Sequence, residues 1–165
     1  MNPTLRAWLA SMTRRWHSNP DLCDTHDPVA AHQGRVALLL LSIYPDASRT
    51  LLAHAITHDQ GEAGSCDCSY EAKRANPQLA GLLHRLEGDE IAAQGFNLPN
   101  LTAREEKILK VCDWLDSCLW MFKHAPKLAD REDWMAQGKK IAALADEVGL
   151  REEVHAVLEA AEGRA

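Results

Sequence analysis

The chain has 165 residues, 46% of them hydrophobic, enough to bury one sizeable core with little left for a second, so one domain over residues 1–165 is expected. A formal net charge of −6 with dispersed lysines and arginines offers no basic stripe for a phosphate polymer, which argues against a nucleic-acid partner. No segment approaches about eighteen consecutive apolar residues, and the opening "MNPTLRAWLASMTRRWHSNP" lacks the long apolar region of a secretory signal; no membrane partner and a cytoplasmic location are expected.

Helix signals recur along the chain with no sustained strand-type alternation, so an all-α fold of about six to eight helices is expected. Asp27 followed by Pro28 reads as an N-cap and N1 proline opening "VAAHQGRVALLLLSIY", a central apolar helix ended by Pro45 and Asp46. "DASRTLLAHAITHDQGE" carries Leu51, Leu52, Ala55 and Ile56 on a core stripe. A loop, "AGSCDCSYEAKRAN", separates it from "PQLAGLLHRLEGDEIAAQG", whose last glycine suits a C-cap. Thr102 to Glu105 fits a capping box ahead of "KILKVCDWLDSCLWMFKHA", and amphipathic segments follow from about Asp130 to Val148 and from Leu150 to Ala160. The cysteines at 23, 66, 68, 112 and 118 form an odd set without a secretory signal, so reduced thiols are expected.

The chemistry concentrates in "HAITHDQGE", residues 54–62. On a continuous helix His58 and Glu62, four apart, share a face, and Asp59 is offset by about 100°. A cation beside them needs further ligands from other helices. His32, inside an apolar run, and Asp113, inside "KILKVCDWLD", are the buried polar residues a divalent ion would satisfy, and Asp116 is a nearby rival to Asp113. His54 and His58 stand in H-x-x-x-H spacing without the glutamate of a zinc-protease helix, which makes His54 a supporting or core residue. Cys66 and Cys68 form a Cys-x-Cys pair without a matched second pair, a weak zinc signal. His84, His124 and His155 read as helix-surface residues without partners.

The order His32, then His58-Asp59, then Asp113 resembles the HD phosphohydrolase superfamily, helical proteins that hydrolyse phosphate esters with a divalent metal. Within it the chain resembles the small 5'-deoxynucleotidases and the phage deoxynucleoside triphosphate triphosphohydrolases over roughly Arg14 to Phe122. An Arg-aromatic pair ahead of the first histidine is matched by Arg15 and Trp16, His-Asp-x-x-Glu by His58, Asp59 and Glu62, a Gly-Asp element with a later Lys by Asp67 and Lys73, and Lys-x-x-Asp by Lys110 and Asp113. Two departures stand out: the glycine before the family aspartate is Cys66, and the prolines of that loop are missing.

The resemblance implies that His32, His58, Asp59 and Asp113 hold Mn²⁺, Co²⁺, Zn²⁺ or Mg²⁺, a choice the mixed nitrogen and oxygen set suits. It implies Glu62 as general acid or base, Arg15 and Lys73 against phosphate, Trp16 against a base and Asp67 on a sugar hydroxyl. The expected activity is hydrolysis of a small-molecule deoxynucleotide, a dNTP and first dATP, to deoxynucleoside and tripolyphosphate. The alternatives are a 5'-deoxynucleotidase acting on dNMPs and a non-catalytic HD nucleotide-binding protein. Five tryptophans and the oligomers of related enzymes lead to an expected homo-oligomer, with Trp120 and Trp134 as interface anchors.

Overall fold

The computed structural model describes residues 1–66 and 68–163, with residues 70 and 71 described by their backbone alone. Among the described residues there are nine α-helices and one short 3₁₀ turn, η1 (Pro126–Leu128), and no strand beyond an isolated bridge between Arg14 and Pro28. The fold is all-α, as expected. The helices are α1 (Pro3–Ala10), α2 (Val29–Ile43), α3 (Arg49–Ala55), α4 (Glu62–Ser65), α5 (Tyr70–Ala75), α6 (Pro77–Ala93), α7 (Ala103–His124), α8 (Glu132–Val148) and α9 (Arg151–Glu162). The stretch read as one loop thus contains two helices, α4 and α5. No helix among the described residues is long and apolar enough to cross a membrane.

Local chemistry fixes most helix ends. Asn2, Ser48, Ser69 and Asn76 each accept the amide three residues on, at 3.0–3.2 Å, and proline follows Asn2 and Asn76 directly. Thr102 and Glu105 exchange the two bonds of a capping box at the start of α7. Gly149 ends α8 at φ 74°, and the Leu150 amide reaches back to the Ala145 carbonyl at 2.8 Å.

The chain divides into two compact units, Met1–Gln33 with Thr57–Leu98, and Gly34–Ile56 with Pro99–Ala165. The second unit holds the apolar core. Val36, Leu40 and Ile43 of α2, Leu51 and Ala55 of α3, Ile108, Val111 and Leu115 of α7, Ile141 and Ala145 of α8 and Val154 of α9 form one buried cluster, against which Trp134 packs. Inside it, burial pushes the Cys112 and Cys118 thiols up to about 12. Asp116 is almost fully buried and receives the Arg35 guanidinium at 2.7 and 3.0 Å, while that guanidinium lies 4.4 Å from the Trp120 ring centroid. His124 packs on the same tryptophan, and exposed His155 pairs with Glu159, so these two surface histidines do have partners.

The first unit is different in kind, because much of its interior is polar. Arg15, Asp27, His32, Gln33, Thr57, Gln60, Glu90 and Gln94 are all buried there. Glu90 of α6 receives Arg6 of α1, whose hydrogen bonds hold its carboxyl below the usual carboxylate range. Gln94 donates to Glu90 and to the Gln60 carbonyl, and the Gln60 side chain donates to Gln33. Buried polar groups at this density demand partners, and this relay supplies several of them from α6 to the start of α2, while Gln94 Oε1 stays buried without a hydrogen bond.

Candidate metal centre

His58 and Asp59 do not lie on a helix. α3 stops at Ala55, and residues 56–61 form consecutive tight turns in which the Gln60 amide bonds the Thr57 carbonyl and the Glu62 amide bonds the Asp59 carbonyl, each at 3.0 Å. The shared helix face expected for His58 and Glu62 is therefore replaced by a turn followed by α4, with Glu62 as its first residue. The turns bring Gly61 against α6, where a Cβ would stand 2.7 Å from both Cβ and the carbonyl oxygen of Glu87. His54 belongs to α3 of the second unit and meets the Pro99 carbonyl at 2.9 Å.

His32, on the first turn of α2, is completely buried. Its Nε2 lies 3.2 Å from Nε2 of His58 and 3.3 Å from Oδ2 of Asp59, while His58 Nε2 lies 3.5 Å from Asp59 Oδ1. The two rings meet edge to face, 5.2 Å apart. Two neutral imidazoles facing nitrogen to nitrogen can share one hydrogen, whereas a cation engages both lone pairs. Donor atoms around a tetrahedral ion with bonds of about 2.0–2.1 Å stand about 3.3 Å from one another, close to the spacings of His32 Nε2 from His58 Nε2 and from Asp59 Oδ2. His32, His58 and Asp59 are the group of three metal-ligating side chains found among the described residues, and they could bind a metal ion. Two imidazoles and a carboxylate suit a borderline or hard divalent ion rather than a thiol-selective one.

Arg15 and Trp16 stand beside this group. The Arg15 side chain is mostly buried, with Nε 4.0 Å from Asp59 Oδ2 and Nη1 3.4 Å from Oδ2 of Asp27. Trp16 is half-buried, lies 4.9 Å from the Arg15 guanidinium by its ring centroid, and donates from Nε1 to the same Asp27 oxygen at 3.1 Å. Its φ of 66° is left-handed, an outlier for so bulky a residue that costs on the order of 1–3 kcal/mol. The protein holds Trp16 in a strained place.

Glu62 and Lys73 complete the surroundings. Lys73, on α5, reaches Glu87 at 3.4 Å. Burial alone would lower its ammonium, but Glu87, Glu62 and Asp59 together outweigh that and hold it above its ordinary value. Lys73 therefore stays cationic within the field of Glu62 and Asp59.

No protein family model, curated protein or solved structure matches the chain.

Asp67 lies outside the described residues. Asp113 lies on α7 of the second unit and takes the Lys110 ammonium at 3.2 Å, so the Lys-x-x-Asp spacing forms an i,i+3 ion pair. Its rival Asp116 is engaged by Arg35. All five cysteines are free, Cys66 exposed and Cys68 partly so.

Asp27 and Pro28 stand directly ahead of α2, where Asp-Pro predicts a helix start. The Ala31 and His32 amides bond the Pro28 carbonyl, and the Val29 and Ala30 amides bond the Thr13 and Ser11 carbonyls, so the first turn of α2 is satisfied by main-chain oxygens. The Asp27 carboxylate faces Arg15 and Trp16.

Cys66 carries a strained backbone. At φ 62° and ψ 156° it occupies a region essentially reserved for glycine. Cys66→Gly is expected to raise the free energy of unfolding by about 1 kcal/mol, the relieved strain exceeding the roughly 0.5–1 kcal/mol of added chain entropy. Urea denaturation reads this directly, and a loss of stability would refute it.

Proposed function

We propose that the chain is a metal-dependent phosphohydrolase of deoxynucleotides, first a dNTP triphosphohydrolase acting on dATP. The observation that carries this reading is the convergence of His32, His58 and Asp59 on donor spacings suited to one cation, with the Arg15 guanidinium 4.0 Å from Asp59. Polar interior, cations and an aromatic wall beside a metal-binding group are what a phosphorylated ring compound requires.

His32, His58 and Asp59 would hold the ion, and Asp113 is the fourth ligand that the resemblance adds. A divalent ion so held, Mn²⁺, Co²⁺, Zn²⁺ or Mg²⁺, supplies Lewis-acid polarisation of a phosphoryl oxygen and acidifies water. Arg15 and Lys73 then face the charge of the phosphates, Arg15 through its planar fork and Lys73 as a compact ammonium. Trp16 walls the base, and Asp67 accepts from a sugar hydroxyl. Glu62 takes the proton of the attacking water and returns it to the leaving oxygen. The water oxygen bonds the α-phosphorus, the bond from phosphorus to O5' breaks with its electron pair on O5', and deoxynucleoside and tripolyphosphate result. A dNMP would give deoxynucleoside and orthophosphate by the same step. A 2'-hydroxyl left without room or partner costs on the order of 1–3 kcal/mol, so ATP is a poor substrate.

One assay decides among the readings. The four dNTPs, the four dNMPs and ATP are incubated with each of the four metals, and the products are separated by anion exchange. Tripolyphosphate from dATP is the expected result, orthophosphate from dNMPs alone makes the chain a 5'-deoxynucleotidase, and no product from any substrate leaves a non-catalytic binding protein. Elemental analysis of a His58→Ala, Asp59→Ala double variant and of Asp113→Ala tests the ligands. Full metal occupancy in the double variant removes the proposed centre.

A further inference from the structure

We infer that Asp27 is a positioning residue whose single buried carboxylate locks Arg15 and Trp16 together as one clamp for the phosphate and the base of a nucleotide. The inference deepens the deoxynucleotide reading above and rests on it. Asp27 is completely buried, and a carboxylate there is costly unless its oxygens are used. Its Oδ2 faces Trp16 Nε1 at 3.1 Å and Arg15 Nη1 at 3.4 Å, and its main-chain carbonyl accepts the Arg15 amide at 2.9 Å. One residue thus fixes Arg15 by backbone and side chain and Trp16 by its ring.

A charge that merely neutralised Arg15 would need no tryptophan. Sharing one oxygen between an indole N–H and a guanidinium couples the wall that meets a base to the arm that meets a phosphate. The coupling sits beside the metal-binding group, since the same guanidinium comes within 4.0 Å of Asp59. Trp16 keeps its left-handed backbone in this arrangement, where its ring can both accept the Arg15 cation at 4.9 Å and donate to Asp27. The ligand such a clamp takes is a planar heterocycle carrying a 5'-phosphate.

The test compares wild type with Asp27→Asn, Trp16→Phe and the double variant, using dATP and dAMP with Mn²⁺. Asparagine keeps the shape and removes the charge, while phenylalanine keeps a ring and removes the N–H. Asp27→Asn is expected to raise KM about tenfold, with kcat within about threefold and metal content unchanged. Trp16→Phe should raise KM by about fivefold and add little further in the Asp27→Asn background, the mark of a shared interaction. A merely structural loss lowers the active fraction, and so apparent kcat, at unchanged KM; that result overturns the proposal while wild-type turnover upholds the reading beneath it. Should Asp27→Asn fail to fold, Trp16→Phe alone carries the test, and an unchanged KM overturns the clamp. Where wild type turns over neither nucleotide, calorimetric binding of dATP reads the same variants. A wild type that neither binds nor hydrolyses dATP removes both the clamp and the function it serves.

Discussion

Glu62→Ala is expected to keep the metal-binding group intact and lower kcat at least about a hundredfold, the lower range for loss of a general acid or base. The expectation follows from where the residue starts. Its amide is tied to the Asp59 carbonyl at 3.0 Å, so any ligand held by Asp59 has the first residue of α4 for a neighbour. Its carboxylate is partly buried, and the Lys73 ammonium senses both it and Asp59. A carboxylate close to a cation and a metal-binding group can take a proton from water and give it back within one turnover. The rival explanation is that Glu62 only balances Lys73 or favours the N-terminus of α4, a role worth up to about 2 kcal/mol for a partly buried first-turn acid. Glu62→Gln keeps the shape and loses both the charge and the proton-carrying group, so the two roles separate by readout: a balancing role costs stability at near-normal kcat, and proton transfer costs kcat. Kinetics with elemental analysis on the same samples make the measurement: full metal content with lost turnover is expected, and near-normal turnover would move proton transfer to another group.

The parts of the fold written in local chemistry were legible in the sequence. Thr102 and Glu105 cap α7 because a capping box needs only four residues, and Gly95, at φ 84°, follows the end of α6 for the same local reason. The short helices α4 and α5 were not legible. Four and six residues give at most one or two turns, too few for a hydrophobic period to emerge. The sequence hides the end of α3, because Leu51, Leu52, Ala55 and Ile56 keep helical spacing to the edge of the turn and nothing local to His58 announces the change. The place of the Asp27 carboxylate was hidden for the opposite reason: Asp-Pro matches a helix start well, and only the tertiary contacts with Arg15 and Trp16 show what else the side chain meets. The candidate centre fared better. The order of His32 and His58-Asp59 marks residues that the fold does bring within 3.5 Å of one another, whereas the choice of Asp113 over Asp116 rests on the Lys-x-x-Asp element of the resemblance. The Arg35 contacts that occupy Asp116 are tertiary, and no local pattern encodes them.

Gly61→Ala is expected to destabilise the protein by about 2–4 kcal/mol, at or above the usual range for overpacking, and to weaken metal binding with it. Local rules give the opposite sign. Gly61 sits at φ −64° and ψ −23°, an ordinary helical conformation, and replacing such a glycine with alanine normally stabilises by about 0.4–1 kcal/mol through the unfolded chain. Contact decides the matter, because the new methyl would stand 2.7 Å from the Glu87 carbonyl and 2.8 Å from its Cα, and helix backbone cannot swing aside as a side chain can. Either the turn carrying His58 and Asp59 lifts off α6 or α6 shifts, and a movement of a few tenths of an ångström or more disturbs donor spacings of 3.2–3.5 Å. Gly138 provides the control. It lies within α8 with open space where a Cβ would go, so Gly138→Ala should stabilise by up to about 1 kcal/mol. Urea denaturation of both variants, with metal content measured alongside, reads the contrast. Two alanines with the same sign would mean that Gly61 is not held against α6, and a stable Gly61→Ala protein with full metal occupancy would separate the turn from the centre it is argued to shape.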